Sequence, residues 1–219
     1  TATVDAPPVP GRYVLAFEHF ILLMGVIFAV QFADRSLGPI LPLYIATLGI
    51  DEARVPIVSG VLFSALAATA SVGHHVCGKL LRRHSPRQII TTCAAVAGVV
   101  ILAFVGQPPA VVLIAAMAIF GLMVGTAMTA AYATAGSIIP HNARATGFGF
   151  LTSASLAGLA LSPMASGFIA AHSIRLVFVL DAILLALVVV FVLRAMAASF
   201  MVDVPRPPAE EDKGEALVA

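Results

Sequence analysis

The chain has 219 residues, 60% of them hydrophobic and only 11% charged, with a formal net charge of +1. Soluble globular domains carry about 25% charged residues, so a water-soluble core of this size is excluded and the apolar side chains need lipid as their solvent. The near-neutral balance gives no electrostatic footprint for nucleic acid.

Residues 1–12 begin with Thr1, not methionine, and read as a Pro-rich linker. No basic segment with a small-residue cleavage site precedes the first apolar stretch, so it is not a signal peptide. The expectation is a piece that begins partway through a longer protein. Crossing about 30 Å of hydrocarbon takes about 20 apolar residues in a helix, and six segments qualify. They run from Val14 to Thr47, Val55 to Cys77, Gln88 to Gly106, Ala110 to Ile139, Thr146 to Ala171, and Leu176 to Ala198. Residues 13–198 therefore read as an all-α membrane protein, a six-transmembrane-helix bundle, followed by a disordered acidic tail at 199–219. With the N-terminus inside, the inner segments hold Arg12, Lys79, Arg82, Arg83, Arg87, Arg144, Arg194, Arg206 and Lys213, and the outer loops only Arg54 and Arg175. The positive-inside rule puts both termini in the cytoplasm, and a plasma or inner membrane is the expected location.

The first span carries the strongest polar signal. Gln31, Asp34, Arg35 and Gly38 are spaced i, i+3, i+4 and i+7 and share one helix face. A charge at the bilayer centre costs about 2.5–3.5 kcal/mol on insertion scales, so that face must meet protein or water. Asp34 is a proton-exchange candidate. The alternative is a structural ion pair, and since Asp34 and Arg35 point about 100° apart, each could pair with another helix. Pro39 and Pro42 predict a kink or tilt near the end of this span. Glu18 and His19, near its start, read as interfacial.

In the second span, Gly60, Ser64, Ala67, Ser71, His74 and Gly78 form a small-residue stripe suited to close helix packing. His74, His75 and Cys77 match no strong metal spacing and read as an interfacial cluster; no metal or other cofactor is expected. Cys77 and Cys93 read as small buried hydrophobes. The fourth span places Gly121, Gly125, Thr129, Tyr132 and Gly136 on one face. The fifth is the least lipid-like, rich in Gly and Ser, and should sit among other helices. Asp181, early in the sixth, is a second proton candidate or a near-surface partner of Arg175.

Several stretches carry a family resemblance. Gly38, Pro39, Ile40, Leu41, Pro42, Leu43 and Tyr44 match a G-x-x-x-P-L-Y stretch. Gly78, Lys79, Arg82, Arg83 and Arg87 sit where a short basic cytoplasmic loop belongs. Gly121 and Gly125 match a glycine pair, and the run from Gly158 through Ser162 and Pro163 to Gly167 is similar to an antiporter G-x-x-x-G-P-x-x-G-G pattern. In this order the segments resemble helices seven to twelve of the major facilitator superfamily, in its twelve-helix drug:proton antiporter branch. Arg82 replaces the loop's usual acidic residue, Ser85 its glycine, and Ser162 and Ser166 two antiporter glycines.

The resemblance implies one half of a general substrate transporter fold, facing an N-terminal six-helix half across a cavity near the bilayer midplane. Its implied partners are the lipid bilayer, that other half, protons and a small-molecule substrate. Proton-coupled export of small hydrophobic or drug-like molecules is expected, with Gln31, Asp34, Arg35, Tyr44, Tyr132 and Asp181 as pathway candidates. The second, fourth and fifth spans would join the first around the cavity, with the third and sixth facing lipid and the basic loop touching the other half. The alternatives are a uniporter or symporter for a sugar, organic acid or amino acid, and a non-transporting scaffold. An enzyme is not expected, since the sequence carries no nucleophile elbow, H-E-x-x-H or clustered-Asp motif.

Overall fold

The computed structural model of the protein describes residues 14–15, 17 and 19–198, with side chains as far as 195. The linker at 1–12, Glu18 and the tail at 199–219 lie outside the described residues. Six helices carry the architecture: α1 (Phe20–Ala46), α2 (Val55–Leu80), α3 (Pro86–Leu102), α4 (Ala110–Ile138), α5 (Arg144–Ala170) and α6 (Ile174–Ala198). Short 3-10 turns at Glu52–Arg54, Ala103–Gly106 and His141–Ala143 join some of them. Each of the six, α3 together with the 3-10 turn that follows it, is long and apolar enough to cross a bilayer. The protein is an integral, multi-pass membrane protein with an all-α six-helix bundle.

Local chemistry sets the boundaries. Ser85 caps α3 by accepting from the Gln88 amide, while the Gln88 side chain accepts from the Ser85 amide, a reciprocal capping box. Pro56 and Pro86 stand in the first turns of α2 and α3, where a missing N–H costs nothing. α1 starts six residues later than the expected Val14. His19 takes a left-handed backbone conformation at φ 65°, which a helix of L-residues cannot propagate through. Its ring Nε2 lies 3.0 Å from the Ala195 carbonyl near the end of α6.

The helices alternate in direction. Tyr44, Phe104 and Phe178 stack at the end where α1 and α3 finish and α6 begins. At the other end, Arg87 at the start of α3 donates to the Leu193 carbonyl of α6, at 2.9 Å. Lipid offers no hydrophobic drive between helices, so close fit decides who packs on whom. The most extensive pairings are α2 on α4, α1 on α5 and α3 on α6, with α3 also against α4 and α6 against α1. α1 is heavily enclosed, from Phe20 and Leu23 through Leu37 to Tyr44 and Ile45.

Glycines set two of these approaches. Gly121 and Gly125 of α4 lie directly against the α2 backbone at Leu66 and Ala70, and Gly73 of α2 lies against α4 at Leu122 and Thr126. Any side chain at these three positions would overlap backbone. The expected stripe on α2 is therefore not its packing face here. Gly60 and Gly78 have nothing near them, and Ser64, Ala67 and Ser71 are exposed. The glycines of α4 form the groove, and α2 turns a different side into it. α5 meets α1 through Gly158, against the Phe28 carbonyl, and through Ser162, whose hydroxyl donates to the Phe32 carbonyl at 2.7 Å. Within this chain α5 is an edge helix. Gly158 and Ser162 serve α1, Gly147 lies against Ile139, and Pro163, Met164, Gly167 and Phe168 are left exposed.

Candidate functional site

Between α1, α2 and α4 lies a cavity of about 380 Å³. The polar face of α1 forms one wall, with Gln31, Asp34, Arg35 and Gly38. Phe63 and Leu66 from α2 and Val124 and Met128 from α4 supply apolar surface. The volume is within the roughly 300–1,000 Å³ of small-molecule sites, which combine apolar walls with a few polar groups. The α4 glycines bring α2 and α4 together beside the stretch of α1 around Asp34, and Gly125 itself lines the cavity.

Asp34 and Arg35 pair with each other. Arg35 Nε lies 3.3 Å from Asp34 Oδ2, with side-chain exposures of 54% for the arginine and 17% for the aspartate. Neither takes the alternative of a partner on another helix. Their Cα–Cβ directions do diverge, but the long arginine stem folds back along the helix and brings Nε within reach. Asp34 sits at the base of the pair and the guanidinium reaches further into the open.

His74 is the residue that sequence reasoning misplaced. Rather than belonging to an interfacial cluster, it lines the cavity, with Nδ1 2.7 Å from Thr129 Oγ1 on α4. The Thr129 hydroxyl donates its one hydrogen to the Gly125 carbonyl, at 3.0 Å. Thr129 thus engages Nδ1, and Nε2 is the nitrogen left to the cavity. His75 and Cys77 point elsewhere, the first exposed and the second buried. The only sequence signal for His74 was its shared face with Ala67, which also lines the cavity.

The remaining candidates separate. Tyr44 is buried in the aromatic stack, and its hydroxyl donates to the Phe104 carbonyl at 2.8 Å, away from Asp34. Tyr132 is half-buried on α4 against the apolar core. Asp181 is fully buried rather than near a wet surface. Its Oδ2 accepts a 2.5 Å hydrogen bond from Ser36, and among the described residues Oδ1 has no hydrogen-bond partner. Ser36 also reaches the Ala33 carbonyl, at 3.0 Å. Of the two alternatives for Asp181, the near-surface pairing with Arg175 gives way to this contact, because Asp181 faces α1, not the loop. In the basic turn, Lys79, Arg82 and Arg83 are exposed, whereas Arg87 is bound to α6. α1 continues as one helix through Pro39 and Pro42. Neither proline can donate to the carbonyl four residues back, which leaves those of Arg35 and Gly38 outside the helix ladder.

None of the curated proteins matches the chain. The sequence model described as Major Facilitator Superfamily matches residues 23–218, from the first turn of α1 past the end of α6. With six membrane-spanning helices in the packing of one half of that fold, the chain belongs to the Major Facilitator Superfamily.

Proposed function

We propose that the chain forms one half of a proton-coupled secondary transporter and that Asp34 carries the coupling proton. The single observation behind this is the placement of an ionisable side chain near the middle of α1, on a cavity where α1, α2 and α4 meet. A carboxylate there can be charged while the cavity is wet and must be protonated or paired when it closes. Arg35 is the internal partner that holds it in between. The second half packs on the uncovered faces of α2 and α5, where Gly60, Ser64, Ser71 and Gly167 are exposed, and small residues suit close helix approach. The basic turn with Lys79, Arg82 and Arg83 lies on the cytoplasmic side by the positive-inside rule, as do both termini. The linker at 1–12 joins the halves.

Export of small hydrophobic molecules in exchange for protons is the direction favoured by the antiporter-like stretch from Gly158 to Gly167. A second reading, transport of an organic acid, is favoured by Arg35 and His74, which share the cavity with Asp34. The test uses the full-length protein in proteoliposomes with an imposed pH gradient. Movement of a hydrophobic cationic dye and of naphthalene-2-sulfonate, a permanent anion, is followed for wild type and Asp34→Asn. Gradient-driven movement of one of the two, lost in the variant, is the expected result. Movement of neither, or equal movement in the variant, removes the proposed role of Asp34.

A further inference from the structure

We propose that the cavity beside Asp34 binds the anionic group of a small hydrophobic organic acid, with Arg35 as its anchor and Asp34 as an internal competitor that a proton displaces. This rests on the reading of that cavity as the transport site. The ion-pair contact is made through Nε of the guanidinium. Among the described residues no hydrogen bond occupies the two terminal nitrogens. Arg35 is half-exposed and lines the cavity, so a planar fork of donors remains for a carboxylate, sulfonate or phosphate oxygen pair. His74 adds a second donor when protonated, through Nε2, because Thr129 holds Nδ1. Phe63, Leu66, Val124 and Met128 face these groups, and such a wall receives an apolar body rather than a sugar.

The charges decide the sign of the coupling. The ionisable groups on the cavity are Arg35 on the same helix and His74 on α2; α4 contributes none. α5, packed on the adjoining side of α1, brings Gly158 and Ser162 there and no charge. Asp181 lies behind α1, bound to Ser36. With Asp34 ionised, an incoming anion meets a neutralised guanidinium and a repelling carboxylate. A proton on Asp34 removes both obstacles at once. Anion and proton therefore strengthen each other's binding, and by linkage the effect is reciprocal. Anion affinity rises as pH falls, and the loaded state carries anion and proton together. A cationic substrate would show the opposite sign, because a proton on Asp34 would expel it.

Equilibrium dialysis of naphthalene-2-sulfonate against the purified full-length protein tests this. The probe stays charged at all working pH values, so any pH dependence belongs to the protein; uncharged naphthalene-2-sulfonamide is the control. The sulfonate should bind on the order of tenfold tighter at mildly acidic than at mildly alkaline pH, and the sulfonamide weakly at both. Asp34→Asn should bind the sulfonate more tightly than wild type at alkaline pH, with only the smaller pH dependence of His74 left, a gain that a merely structural role would not produce. Arg35→Gln should lose the preference for the anion, and Arg35→Lys, which keeps the charge without the fork, should retain part of it. A sulfonate bound no better than the sulfonamide, or an Asp34→Asn variant no tighter than wild type at alkaline pH, overturns the anion site. If dye movement in the same preparation still follows the pH gradient and needs Asp34, the transport reading survives that loss. If the sulfonate binds as expected but neither compound moves, the site stands and the transport reading falls.

Discussion

Two aspartates lie within the spans, and α1 serves both in opposite ways. Asp34 stands on the cavity face of α1, partly exposed and paired with a guanidinium that is itself half-exposed. Asp181 stands on α6 against the other face of α1, with no exposure and a single hydroxyl from Ser36 for company. Ser36 is two residues after Asp34, about 200° around the helix. One side of α1 thus carries groups that can exchange partners, and the other carries a closed polar contact. Access distinguishes the two carboxyl groups, since a buried group with a fixed partner changes charge only if the packing opens.

That contrast can be broken most directly at Asp34. Asp34→Asn keeps the side-chain shape and should reduce proton-driven transport to background while the purified protein melts close to wild type. Asp181→Asn should do the reverse, keeping proton-driven transport and its pH profile. Its new amide hydrogens would enter a fully buried site, at a cost of about 1–3 kcal/mol, measured by thermal unfolding in detergent. Equal loss of coupling in both variants would make the two sites one pathway and end the distinction.

Gly125→Leu sharpens the structural half of the contrast. Its side chain has to displace the α2 backbone at Ala70, and such overpacking costs about 1–3 kcal/mol or more. The same change prises α2 from α4, so the cavity and ligand binding should be lost with the stability. Gly25→Ala, where nothing lies near the added methyl, is the control and should stay within about 0.5 kcal/mol of wild type. Apart from that control, the smallest effect is expected at Tyr44→Phe. It removes the hydrogen bond to the Phe104 carbonyl but keeps the aromatic stack, for about 0.5–1.5 kcal/mol, and binding at the Asp34 cavity should be unchanged.

Several features were legible along the chain because their causes are local. Apolar runs broken by Pro140 or by Pro108 and Pro109 marked helix ends to within a few residues. Helical periodicity alone put Gln31, Asp34, Arg35 and Gly38 on one face, and all four line the cavity. The start of α1 escaped because the left-handed turn at His19 leaves no composition signal. Gly121 and Gly125 were visible as a small-residue pair, but not that their partner is the backbone of α2 at Leu66 and Ala70.

What the sequence determined by itself is the membrane solvent, the six helices and the polar face of α1, since each follows from hydropathy and the helical repeat within one stretch of chain. What only the tertiary structure decided is which groups those faces meet. His74 reaches the cavity because α4 glycines admit α2 closely, Arg87 reaches α6 because the two helices run antiparallel, and Asp181 finds Ser36 across 145 residues of sequence. These contacts depend on how close two helix surfaces can come, and that distance is a property of both surfaces together.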